Sequence, residues 1–192
     1  MNENILSRWR IPFSVIPSII LVFVLLFSFQ LFAQLAAGHD KFLGNIIGNS
    51  IHPTFLSYWN QATPENRGKW ISIEGSRDVY NWSGLDQAYN YAIQYNITFK
   101  DHTLVWGNAQ GEPFWISSLS LTEQAEEVEE WIQLVGQRYP ETAMVDVVNE
   151  PLHEYPVFAD ALGGSGATGW DWVIWSFQMA RQYFLAGLGY PG

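Results

Sequence analysis

A five-residue run, Met144-Val145-Asp146-Val147-Val148, ends directly in Asn149-Glu150-Pro151. The run has strand length and is rich in β-branched residues, which fit a pleated, buried surface. A carboxylate is thereby placed where a buried strand opens into a loop. In an α/β barrel, catalytic groups collect at such strand exits. An Asn-Glu pair there suits sugar chemistry, because Glu can pass a proton to a glycosidic oxygen while Asn holds a hydroxyl. The tripeptide alone also fits an ordinary turn.

The surrounding pattern extends this strand into an architecture. Residues 42–48 read as a short buried strand closed by glycine, and residues 61–63 as a weaker second strand. Ser83 is placed to cap a helix with Leu85, Ala88, Tyr89, Ala92 and Ile93 on one face. Residues 97–106 hold the next strand. Thr122 is the expected cap of an amphipathic helix over 122–137, with an apolar stripe of Val128, Trp131, Ile132 and Val135. Its carboxylates Glu123, Glu126, Glu127, Glu129 and Glu130 read as a solvated face. A last helix runs over 170–185. Strands alternating with helices imply a parallel sheet with crossovers. A complete (β/α)8 barrel takes about 250 residues. The stretch 38–192 therefore predicts either a small open α/β sheet or the first four to five βα units of a barrel.

The first 37 residues read as a separate device. Arg8 and Arg10 precede a stretch over 11–38 that carries no charge, most apolar over 19–27, with Ala33, Ala36 and Ala37 near its end. A basic flank, an apolar run and small residues make the layout of a secretory signal. A membrane anchor is the competing reading, since the stretch is long enough to span. Either places the rest of the chain outside the cytoplasm.

Composition narrows the function. The formal net charge of −10 argues against nucleic acid as a partner and against anionic substrates. The absence of cysteine removes disulfide and thiolate chemistry. The four histidines are scattered without metal-ligand spacing, so no metal is implied. The chain holds 10 Trp, 9 Tyr and 12 Phe. Such a load is enough to fill a core and to line a sugar-binding cleft besides.

Three blocks stand at or just after strand ends: Thr63-Pro64-Glu65-Asn66 continuing to Lys69-Trp70, His102-Thr103-Leu104-Val105-Trp106, and Val147-Val148-Asn149-Glu150. With Lys41-Phe42-Leu43-Gly44 before them and Gly169-Trp170-Asp171-Trp172 and Ala180-Arg181 after, they resemble the family-10 glycoside hydrolases, endo-β-1,4-xylanases of the (β/α)8 type. The resemblance runs from about residue 41 to residue 184. It implies that Glu150 is the general acid/base and that Asn149 binds the 2-hydroxyl of the sugar being cleaved. It implies that His102 and Trp106 frame that sugar, and that Glu65, Asn66 and Lys69 hold the next sugar toward the non-reducing end. The implied reaction is retaining hydrolysis of internal bonds in xylan, without a cofactor. Glu150 would then need a raised pKa and a partner carboxylate about 5 Å away. In the family that nucleophile follows the seventh strand, and this sequence shows no such strand. After Phe184 the resemblance ends. Two other readings stay open: a non-catalytic fragment with weak affinity for xylo-oligosaccharide, and a β-1,4-glucanase of the same barrel clan.

Overall fold

The computed structural model describes residues 34–184. The apolar stretch of the expected signal segment lies outside the described residues. Four strands, β1 (Gly44–Ile47), β2 (Gln61–Pro64), β3 (Thr98–Val105) and β4 (Met144–Val148), form one sheet in the order β1-β2-β3-β4. All three pairings are parallel, with Gly44 opposite Gln61, Gln61 opposite Thr98 and Lys100 opposite Met144. Parallel neighbours need crossovers. Those after β2 and β3 contain the long helices α3 (Ser83–Gln94) and α4 (Leu121–Arg138), and α5 (Asp171–Phe184) follows β4. One-turn helices α1 (Phe55–Tyr58) and α2 (Trp70–Ile73) fill the connections around β2.

Strand alternation sorts the side chains onto two faces. Phe99, Asp101 and Thr103 of β3 are buried, whereas Lys100 and His102 between them are half-buried. Gly44, Ile46, Gln61, Thr63, Lys100, His102 and Asp146 occupy alternate positions on their strands and line one cavity of about 380 Å³. This is the concave face of the sheet.

The core is unusually aromatic. Trp70 of α2 stacks on Trp131 of α4 with centroids 5.8 Å apart. Trp131 stacks in turn on Trp82 at 5.9 Å, and Trp82 on Tyr80 at 5.6 Å. Trp115 and Phe158 meet Trp70 edge-on at 5.8 and 5.7 Å. The Trp131 indole N–H also donates to the Leu104 carbonyl at 2.9 Å, which ties the stack to the end of β3.

Several expectations are corrected. Strand β1 is a largely exposed edge in which only Ile47 is buried. Its neighbours Phe42 and Leu43 are exposed too. Helix α4 is capped by Ser120, not Thr122. The Glu123 amide donates to Ser120 Oγ, and the Ser120 amide donates to the Glu123 carboxylate, a complete capping box. Ser83 lies inside α3 rather than capping it. Asn81 Oδ1 accepts from both the amide and the hydroxyl of Ser83. Glu127 is not part of a solvated face: it is buried, and Arg77 Nε donates to it at 2.6 Å.

The cap assignment is testable. Ser120→Ala should lower unfolding free energy by about 1 kcal/mol. Thr122→Ala should stay within about 0.5 kcal/mol of the parent. Urea unfolding followed by circular dichroism reads both, and equal losses would return the cap to Thr122.

Candidate active site

Six of the seven candidate side chains follow a strand exit. Glu65, Asn66 and Lys69 follow β2, Trp106 follows β3, and Asn149 and Glu150 follow β4. His102 lies inside β3 and reaches the concave face by strand alternation.

Trp106 joins the three exits. Its indole N–H donates to Glu150 Oε2 at 3.0 Å. The Lys69 ammonium sits 4.6 Å above the centre of the Trp106 ring, within reach of a cation–π attraction. The same ammonium donates to Asn66 Oδ1 at 2.7 Å. Lys69 is only 5 % exposed. Burial pulls its pKa below the ordinary lysine value, and the charge of Glu65 offsets part of that shift. Glu65 and Asn66 are exposed at the cleft rim. The Glu65 amide donates to the Ile47 carbonyl at 2.9 Å, which sets this turn against β1.

Glu150 combines exposure with an uncommon backbone. Its φ is +52°, a left-handed conformation that L residues other than Asn, Asp and Gly adopt at a cost. Its carbonyl accepts from the amides of His153 and Glu154, both at 2.9 Å, closing a tight turn. The Asn149 amide donates to the Val105 carbonyl at 2.9 Å. That bond continues the β3–β4 pairing to the doorstep of the carboxylate. Strained backbone held by such surroundings is characteristic of functional positions.

His102 does not pair with Asp101, nor does it share a hydrogen bond with Glu150. Its Nδ1 meets Asp146 Oδ2 at 2.8 Å, and the Lys100 ammonium meets the same oxygen at 2.8 Å. Burial works against the charge on Asp146, but the hydrogen bonds from Lys100 and His102 outweigh it and hold its pKa below the usual range. An ionised carboxylate only accepts, so Nδ1 carries the hydrogen and Nε2 is left for a ligand. Asp146 thus joins the candidate site, a residue that the sequence reading missed. The signal was a charge in the middle of an apolar strand. The peptide between His102 and Thr103 is cis.

Asp101 points to the opposite face from His102, is fully buried, and neither of its oxygens has a hydrogen-bond partner among the described residues. Burial pushes its pKa up to about 7; the Asp146 charge adds to this, and the nearby His102 amide offsets part. Gly68 packs against it: a Cβ on Gly68 would lie 2.8 Å from Asp101 Oδ1 and 2.7 Å from the His102 carbonyl oxygen. Among the described residues, Glu74, Asp78 and Glu127 also gather, with carboxylate oxygens within 4.8 Å of one another. The two Glu74 oxygens already accept from the Trp70 indole and the Asp78 amide, and Glu127 Oε1 accepts from Arg77.

Comparison with known proteins agrees with this geometry. The sequence profile described as Glycosyl hydrolase family 10 matches residues 28–186. The chain is 50% identical over 146 residues to endo-1,4-beta-xylanase B of Cellvibrio japonicus (strain Ueda107), a match covering 74% of this chain and 23% of that protein. Native xylanase 10B from Thermotoga maritima superposes with a TM-score of 0.61 at 25% identity, over 74% of this chain and 47% of that one. Xylanase 10B from Thermotoga petrophila RKU-1, solved with xylobiose, gives 0.60 at 25% identity, over 74% and 46%. The chain therefore spans about a quarter of the Cellvibrio protein's length and just under half of each of these two solved chains. Its parallel β1–β4 sheet is part of a (β/α)8 barrel.

The state of Asp101 predicts a pH response. Its folded pKa of about 7 lies above the unfolded value of 3.8. The folded state therefore binds the extra proton, and its contribution is complete below pH 4 and lost as pH rises through 7. Asp101→Asn should remove that loss, a difference on the order of a few kcal/mol between pH 4 and pH 8. Thermal unfolding of both proteins across this range checks it. Parallel pH profiles would show that burial does not raise the Asp101 pKa.

Proposed function

Because the chain belongs to glycosyl hydrolase family 10, we propose that it carries the acid/base half of a retaining endo-1,4-β-xylanase site. The observation that carries the reading is the Trp106–Glu150 hydrogen bond, with Lys69 over the same indole. It brings side chains of the three strand-exit blocks into contact, which supports a shared site. Glu150 serves as general acid toward the leaving oxygen and then as general base toward water. Asn149 binds the 2-hydroxyl of the sugar being cleaved. Trp106 forms a wall of that subsite, and His102, turned by Asp146, presents Nε2 to it. Lys69, Asn66 and Glu65 hold the next sugar toward the non-reducing end. Lys69 and Asn66 reach it through the charge-assisted pair they already form.

Retention requires a second carboxylate about 5 Å from the first. The family resemblance assigns it to a seventh strand, and the described residues contain four. A second reading rests on that observation: the chain by itself binds xylo-oligosaccharide without hydrolysing it. We also place the protein outside the cytoplasm. Arg8, Arg10 and the uncharged stretch over 11–38 support a secretory signal. Xylan, a neutral polymer, suits the acidic chain.

Joining residues 38–184 to the part of the Cellvibrio relative that follows the matched region gives the test. The joined enzyme should release reducing sugar from xylan, and Glu150→Ala should lower kcat/KM on xylan by about a hundredfold or more. An aryl xyloside with a good leaving group needs less protonation and should lose much less. A Glu150→Ala enzyme within tenfold of its parent on xylan would remove the acid/base assignment. Greater turnover on carboxymethyl cellulose than on xylan would move the substrate class to glucan.

A further inference from the structure

Two loops meet beside the Trp106–Glu150 pair: residues 107–113 after β3 and residues 151–158 after β4. They touch at two points. Gly107 lies flat against the backbone of Tyr155 and Pro156, and a Cβ on it would fall 2.3 Å from the Pro156 nitrogen. The Val157 amide donates to Glu112 Oε2 at 3.1 Å.

The first loop is rigid in itself. The amides of Gly111 and Glu112 both donate to the Asn108 carbonyl, at 2.9 and 3.0 Å, and Asn108 Oδ1 accepts from the Gln110 amide at 2.8 Å. Gly111 packs directly on Trp106: a Cβ there would stand 2.3 Å from the Trp106 carbonyl oxygen. The second loop is rooted in Glu150 through the Glu154 amide, 2.9 Å from the Glu150 carbonyl. Glu112 therefore sits at a hydrogen-bonded joint between a loop packed on Trp106 and a loop bonded to Glu150.

We propose that Glu112 is a positioning residue for Glu150, whose carboxylate fastens the loop after β4 to the loop after β3 and so keeps the acid/base carboxyl against the Trp106 indole. The proposal rests on the acid/base reading of Glu150. The charged group facing Glu112 across the joint is Glu154. Burial pushes the Glu112 pKa up to about 7, the Val157 amide offsets part of this and the Glu154 charge adds to it. The joint thus changes charge in the range where a glycosidase acid/base works.

The chain itself gives the first readout. In a nitrogen-15 NMR titration of the 192-residue protein, the Val157 amide and the Trp106 indole N–H should both shift with a common midpoint near pH 7. Glu112→Gln keeps the size and an acceptor oxygen. It should abolish that step at both positions while the other indole resonances hold their places, which reports an intact fold. A Trp106 step that persists in Glu112→Gln, or that is missing from the parent while the Val157 step is present, would overturn the coupling. The joined enzyme gives the second readout. Glu112→Ala, which removes the acceptor for the Val157 amide, should lower kcat on xylan with KM unchanged, whereas Glu112→Gln should hold kcat and move the alkaline limb of the pH profile. An unchanged kcat in Glu112→Ala, or an unchanged profile in Glu112→Gln, would equally overturn it. Failure of the acid/base reading would show separately, in the Glu150→Ala enzyme, with the NMR coupling intact.

Discussion

The architecture hangs on the indole of Trp131. Its two faces are taken by Trp70 and Trp82, and its N–H by the Leu104 carbonyl. One side chain thereby locks α4 to α2, to the segment before α3 and to the end of β3. A ring of this size removes a large apolar area from water, and its one polar atom is satisfied at the same time. The position of that hydrogen bond matters most. It fixes the backbone of β3 two residues before Trp106, at the point where the strand gives way to the cleft. A core interaction therefore sets the starting coordinates of the site.

Trp106 then repeats the device at the surface. Its ring face attracts the Lys69 ammonium and its edge donates to the Glu150 carboxylate. A buried lysine is costly unless its charge is answered. Here it is answered by an aromatic face and by the Asn66 amide oxygen. These side chains consequently hold one another in place, the kind of prior arrangement that efficient positioning of a reacting bond demands. On the concave face below, Asp146 performs the same service for His102, held in turn by Lys100.

The sequence made the long elements legible because their signals are local. The apolar stripes of α3 and α4 and the β-branched run of β4 need no knowledge of distant residues. Strand exits could be placed on the same ground, and with them Glu65, Asn66, Lys69, Trp106, Asn149 and Glu150. Contacts between residues far apart in the chain were not legible. Arg77 reaches Glu127 from 50 positions away, and Glu112 reaches Val157 from 45. The helices α1 and α2 are single turns held by packing rather than by propensity. Strand β1 has an inward composition, yet three of its four residues are not buried because it lies at the sheet edge. Two signals were present and overlooked: Ser120 three positions before Glu123, and the lone charge of Asp146 among valines.

The left-handed backbone at Glu150 has a thermodynamic corollary. A residue without a β-carbon would occupy that conformation more comfortably, by something on the order of 1 kcal/mol. The protein thus forgoes a sturdier turn so that an ionisable side chain can project from it. A glycine in its place would give a more robust polypeptide but no carboxylate for the Trp106 indole to hold, so selection for folding alone would erode this position.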